Sequence, residues 1–214
     1  MNPRERTERT DPWSLYRTLI EGVPDGPCVR DYCLGTHWSY VEADCGMGVS
    51  FTCRGGARGR EARDLRGLPL REAARLSMSW HFEEATIGVA ALNAYYAQRS
   101  LLDGLGASYD DPVELPGDAI RKMDAFELHR PRIEASASKN VVVVGHFPHV
   151  ERIAEYANLT VLERNCAHDL DTPDPACEYV LPDADFAFFT GVTLINKTAP
   201  RLLELASGAE TVLV

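Results

Sequence analysis

The sequence predicts a two-domain α/β protein: an N-terminal α+β domain with an antiparallel meander and helices, then a parallel sheet covered by helices. Three observations carry this. Residues 29–53 hold short stretches rich in β-branched and aromatic residues, broken by Gly35, Asp44 and Gly46, as hairpin-linked strands require. From Asn140 onward, near-continuous apolar strands alternate with helix-period segments, the pattern of a sheet buried on both faces. Between them, Asp110 to Gly117 carries Asp-Asp-Pro and Leu-Pro-Gly, a loop signal that marks the domain boundary. The expected organisation is a frayed tail over 1–10, a first domain over 11–112 and a second over 113–214.

Each element has its own signal. Asp11-Pro12 reads as N-cap and first helical residue of a helix with an apolar stripe of Trp13, Tyr16, Leu19 and Ile20, ending at Gly22. Strands are expected at Val29 to Cys33, Trp38 to Val41 and Gly48 to Cys53. Residues 54–66 set Arg54, Arg58, Arg60, Arg63 and Arg66 among glycines, either a solvated basic loop or a lid that attracts an anionic ligand. Leu70 to Ser77 and Glu83 to Gln98 have helical period, and the second is rich in small residues that let its backbone approach a sheet. A polar helix over Asp118 to Leu128 is expected next. The second domain should then run strand (Val141 to Val144), helix (Pro148 to Ala157), strand (Leu159 to Leu162), proline-punctuated loop, strand (Phe186 to Phe189), helix (Thr198 to Ala206) and strand (Thr211 to Val214).

Composition narrows the function classes. The 214 residues are 45% hydrophobic and 25% charged, which excludes a disordered or low-complexity chain. A formal charge of −10 makes nucleic acid a poor partner. No apolar run approaches the roughly 20 residues of a membrane span, and the charged N-terminus lacks a secretory signal, so a cytoplasmic protein without a membrane partner is expected. The six cysteines, at 28, 33, 45, 53, 166 and 177, show no C-x-x-C spacing and read as reduced structural thiols rather than zinc ligands.

In open parallel sheets, ligands bind at the carboxyl ends of the strands. That rule selects Gly145, His146, Phe147 and Pro148 after the first strand, Glu163 and Arg164 after the second, and Thr190, Gly191, Thr193 and Asn196 after the third. His146 is a candidate metal ligand or general acid/base, and Glu163 shares both roles. His149 completes an H-x-x-H pair, but Pro148 argues against a shared helix face. The alternatives are ordinary: Glu163 and Arg164 as strand-end ion pairs, Thr190, Thr193 and Asn196 as turn and capping residues, Asn93 as a clamp on a strand or loop. Only Gly145 stands where G-x-G-x-x-G would be needed, so neither NAD nor FAD is expected.

The runs VVVVGHFPHVERI, LTVLERN, EYVLPDADFAFFTG and TLINKTAPRLLEL, with LGTHW and ATIGVAALNAYYA earlier, resemble the heavy-metal chelation family known as domain of unknown function 364 and the domain that precedes it there. The resemblance implies an enolase N-terminal-like α+β domain joined to a Rossmann-like domain, with a site in the cleft between them. It places Asn93 and His37 opposite the strand-end residues. Family members continue past the strand at which this chain ends, so it also implies a second domain incomplete at Val214. The leading functional expectation is binding of a divalent transition-metal ion, or a metal-bearing or anionic small molecule, by His146 and Glu163. The alternatives are an enzyme acting on a nucleotide-like or other anionic metabolite, and a noncatalytic interaction module. Homo-oligomerisation is left open.

Overall fold

The computed structural model of the chain describes residues 11–59, 64–109 and 124–214, and the backbone alone of 113–115 and 119–121. The chain forms two compact units. One comprises the described residues up to Leu102 together with Leu194–Pro200; the other comprises those of Asp103–Thr193 and Arg201–Val214.

The first unit is built on a three-stranded antiparallel sheet, β1 (Val29–Cys33), β2 (Trp38–Ala43) and β3 (Gly46–Phe51), in that spatial order. Helix α1 (Ser14–Gly22) precedes it, and α2 (Leu70–Ala74), a 3₁₀ turn (Arg75–Met78), α3 (Phe82–Tyr96) and α4 (Arg99–Gly104) follow it. The α1 start lies two residues beyond the expected one. Pro12 sits in a turn in which the Asp11 carboxylate accepts the Trp13 N–H at 3.0 Å, so the turn precedes the helix instead of opening it.

Helix α3 is the centre of this unit, and its small residues explain why. A Cβ on Gly48 of β3 would lie 2.1 Å from Ala94 N and 2.2 Å from Ala90 O, so helix and strand touch backbone to backbone. On another side, a Cβ on Gly88 would lie 1.9 Å from Ser77 N of the 3₁₀ turn. Nine of the helix's residues, Ala85 to Leu92 and Ala94, are buried, which is the burial of a helix covered nearly all round. Tyr16, Ile20, Val23, Val41, Leu70 and Ala73 complete the core.

In the second unit a two-stranded antiparallel ribbon, β4 (Val113–Leu115) and β5 (Ala119–Arg121), precedes α5 (Ala125–Ala135). This corrects the expected helix over Asp118 to Leu128. Helix α5 starts only where Asp124 caps it, its carboxylate accepting the Glu127 N–H at 2.7 Å. The parallel sheet contains β6 (Asn140–Val144), β7 (Asn158–Glu163), β8 (Asp171–Pro173), β9 (Phe186–Phe189) and β10 (Glu210–Leu213), in the order β10-β9-β6-β7-β8. Every neighbouring pair is parallel. Starting at β6, the chain winds outward through β7 and β8, then returns to the other side of β6, the doubly wound order.

Both faces of this sheet are covered, hence the continuous apolar strands. Val141, Val143, Val161, Phe186 and Phe188 pack with Phe126, Ile133, Val150 and Ile153 on one face. Val142, Leu162, Ala187 and Phe189 pack with Leu181, Leu202 and Ala206 on the other. The expected helix over Pro148 to Ala157 is a 3₁₀ helix, Val150–Glu155, because His149 adopts φ +63 and breaks the turn that Pro148 would open. The loop before β9 holds β8 and three short helical turns, including α6 (Cys177–Val180). After β9 come α7 (Val192–Ile195) and α8 (Ala199–Leu205). Arg60 and Arg63 of the basic stretch, and most of the Asp110 to Gly117 loop signal, fall outside the described residues.

The close approach at Gly48 has a direct test. Gly48→Ala should lower unfolding stability by about 3 kcal/mol in urea titration, because helix backbone cannot yield as a side-chain tip can. Gly104→Ala, where an added Cβ meets nothing within 4 Å, should be neutral or stabilising by up to about 1 kcal/mol.

Candidate functional site

The carboxyl end of the parallel sheet is shaped first by Gly145. Its N–H donates to Leu162 O at 2.9 Å as it leaves β6, and it then turns at φ +104. A Cβ there would lie 3.1 Å from Thr190 Cγ2, so left-handed backbone and tight space both call for glycine. The turn carries the chain onto the end of β7, where the His146 backbone N–H donates to Glu163 Oε2 at 3.1 Å. Glu163 Oε1 accepts the Arg164 N–H at 2.7 Å and the Asn165 N–H at 3.4 Å. The Glu163 carboxylate therefore fastens three backbone amides and shapes the end of β7.

The His146 ring is held from β8. Its Nδ1 lies 2.7 Å from Asp171 Oδ1, and the Asp171 side chain has no solvent exposure while that of His146 retains 23%. The other carboxylate oxygen, Oδ2, accepts the N–H groups of Ala167 and His168, both at 2.9 Å. Burial is the largest influence on this carboxyl and acts to raise its pKa. The bonds from His146 and the two amides outweigh it together and bring the value down to about 2. Asp171 is thus ionised at any physiological pH, and an anion at this distance keeps a proton on Nδ1. In the neutral ring the lone pair then resides on Nε2, which has no hydrogen-bond partner among the described residues.

A second imidazole lies against the first. The ring of exposed His168 stacks on His146 with centroids 4.0 Å apart and planes at 22°. Cys166, in the same loop, is exposed, with its thiol 3.6 Å from the Glu163 carbonyl. Among the described residues, no group of three or more His, Cys, Asp or Glu side chains is arranged to hold a metal ion.

His146 and Glu163 meet at the β6 and β7 ends, and Gly145 and Thr190 meet where β6 adjoins β9. The remaining candidates are engaged elsewhere. Phe147 packs edge-on against Phe126 at 5.7 Å, and Pro148 is exposed. Arg164 pairs with Asp174 at 3.1 Å on the surface. Thr190 O accepts the Thr193 N–H and hydroxyl, and Gly191 N–H donates to Val214 O, so these residues close the turn into α7. Asn196 Oδ1 accepts the N–H and hydroxyl of Thr198 ahead of α8. Within the first unit, Asn93 Nδ2 donates to Val49 O at 2.8 Å and His37 is exposed. Sequence reasoning missed Asp171 and His168, which lie in the stretch read as a proline-punctuated loop. The available signal is a histidine three residues before an aspartate, directly after a strand end that already carries polar candidates.

Sequence profiles of two families match the chain: DUF4213 over residues 16–96 and DUF364 over residues 126–214, both described as "Putative heavy-metal chelation". No curated protein matches it. Among solved structures, a protein of unknown function from the DUF364 family of Desulfitobacterium hafniense DCB-2 superposes with a TM-score of 0.80 at 33% identity, over 94% of this chain and 77% of that one. A DUF364 protein of unknown function from Pyrococcus horikoshii shares the fold at 19% identity, with a TM-score of 0.64 over 94% of this chain and 76% of that one.

The Asp171 carboxylate makes stability depend on pH with a defined sign. Its folded pKa lies below the ordinary value of 3.8, so the stabilisation is complete above about pH 4 and is lost as pH falls toward 2. The urea midpoint of Asp171→Asn should therefore fall below that of wild type at pH 7. The gap should narrow steadily from pH 4 to pH 2.5.

Proposed function

Because the chain belongs to the DUF364 family, described as "Putative heavy-metal chelation", we propose that it binds a borderline divalent metal ion through His146, the ion arriving with ligands of its own. The observation that carries this reading is the 2.7 Å contact between His146 Nδ1 and the buried Asp171 carboxylate. A carboxylate on the far nitrogen of an imidazole fixes its tautomer and ring orientation and leaves Nε2 as the donor, the usual support of a metal-binding histidine. His168 is stacked on it, and because an imidazole lone pair lies in the ring plane the two near-parallel rings do not converge on one ion; His168 steadies the ligand ring by packing. Glu163 contributes by position, since its carboxylate anchors the His146 amide.

A single imidazole, with no group of three or more His, Cys, Asp or Glu arranged to hold an ion among the described residues, does not make the closed four-ligand cage of a structural zinc site. It suits a metal that is cargo, largely wrapped in a small chelator whose oxygen or nitrogen atoms fill the remaining positions. The same dyad supports a second reading, an enzyme in which His146 moves a proton on an anionic metabolite. The two differ in what removal of His146 does: a ligand's loss abolishes metal binding, whereas a proton carrier's loss removes turnover and leaves binding in place.

Calorimetric titration with the zinc complex of iminodiacetate separates them. His146→Ala should abolish binding, Asp171→Asn should weaken it about 10- to 100-fold, and His149→Ala, at an exposed residue 3.7 Å from Glu151, should leave it unchanged. At a complex concentration about 100 times its dissociation constant, wild type should gain roughly 2.7 kcal/mol of stability. Equal affinity in wild type and His146→Ala would refute the metal reading.

A further inference from the structure

The three-stranded sheet of the first unit treats its two faces differently. Val41 and Gly48 point inward to the core and α3, while the alternation along β2 and β3 turns Trp38, Tyr40, Met47, Val49 and Phe51 to the outer face. Trp38, Met47, Val49 and Phe51 are 64, 61, 49 and 45% exposed, where the solvated face of an antiparallel sheet is ordinarily polar. Trp38 stands opposite Phe51 in the register and meets it edge to face at 5.8 Å, and Val49 stands opposite Tyr40, so these side chains form one continuous patch. It presents roughly 450 Å² of apolar surface, a size at which the largest patch of a monomer is commonly functional.

Strand β3 is also an edge strand, but its edge is blunted. The Val49 carbonyl accepts the Asn93 Nδ2–H at 2.8 Å, so α3 occupies a backbone group that an added strand would need. The open surface is therefore the face. The charges at its hairpin end bear on what covers it: Asp31 pairs with Arg66 at 2.7 Å and accepts the Tyr40 hydroxyl at 2.8 Å, Asp44 pairs with Arg30 at 2.8 Å, and Glu42 stands opposite Asp31. This rim mixes both signs, on a chain whose formal charge is −10. A strongly basic or strongly acidic partner would meet no surface of one sign here, whereas a second copy brings the same mixture, and a two-fold axis can set each arginine against a carboxylate.

We propose that this face is the interface of a homodimer in which two copies stack their three-stranded sheets face to face. Two such patches with their rims bury about 1,200 Å² in total, the lower end of specific interfaces, so the dimer is reversible and forms at micromolar concentration. Trp38 and Phe51, already held against each other, are its aromatic anchors and lose little freedom on association. The inference stands apart from the metal reading, because none of these residues belongs to the carboxyl end of the parallel sheet.

Sedimentation velocity on the full chain tests it: the weight-average coefficient should climb from the monomer toward the dimer value over roughly 1–500 μM. Val49→Lys and Met47→Lys each place two like charges in a two-fold interface and should raise the midpoint at least about tenfold, with the urea midpoint of the monomer unchanged. Tyr179→Ser, at an 82% exposed residue of the second unit, should associate as wild type does. The chain has four methionines, and in methyl-labelled NMR the Met47 resonance should move with protein concentration while that of Met78, packed against the first core, stays fixed. A chain monomeric throughout this range, or a dimer that survives both lysine variants, would overturn the proposal. So would a monomer whose Met47 resonance moves only when phosphatidylglycerol vesicles are added, since the face would then belong to a lipid surface.

Discussion

The carboxyl end of the parallel sheet depends on one buried carboxylate. Asp171 reaches His146 from β8 and, through its second oxygen, gathers the amides of Ala167 and His168. Without it, the loop from β7 to β8 would lose its tether, the two imidazoles would lose their common support, and a buried acceptor would disappear from beneath a ring that needs one. Burying an ion is costly, and this one is tolerated because three donors meet it. Glu163 has the complementary role on the neighbouring strand β7, as its carboxylate takes three backbone amides and fixes where the His146 backbone passes. The two acids thus have different duties, one holding the ring and the other the chain.

The rest of each unit supplies the rigidity that such a site needs. The five parallel strands carry apolar side chains on both faces, so β6, β7 and β8 hold their ends in register under cover of the two cores. In the first unit the constraint is steric instead of electrostatic: α3 lies on β3 at a distance that Gly46 and Gly48 permit, and on the 3₁₀ turn at one that Gly88 permits. That unit also takes in Leu194–Pro200, a segment remote in sequence, and so acquires the bond from the buried Tyr16 hydroxyl to Leu194 O.

Much of this architecture was legible in the residues. The meander, the small-residue helix and the apolar strands follow from periodicity, because burial on one face or two leaves a direct imprint on sequence. The strand-end rule also named residues that the structure brings together in pairs at those ends, His146 with Glu163 and Gly145 with Thr190. The local breaks were harder. His149 in a left-handed conformation shortened an expected helix, and the Asp124 cap moved another, because a single residue's dihedral or hydrogen bond decides such boundaries. The decisive partner, Asp171, lies 25 residues from His146 and begins a three-residue strand whose pairing depends on β7 being in place. No periodic pattern marks so short an element.

The central claim is that Asp171 holds a proton on His146 Nδ1 and leaves Nε2 as the donor to a metal complex. Long-range proton–nitrogen NMR of the histidine rings reads this directly. In its neutral form, His146 should carry its proton on Nδ1 and not on Nε2, and only the Nε2 resonance should move strongly when a zinc chelate is added. A proton on Nε2 instead, or an Nε2 resonance indifferent to zinc, would contradict the account.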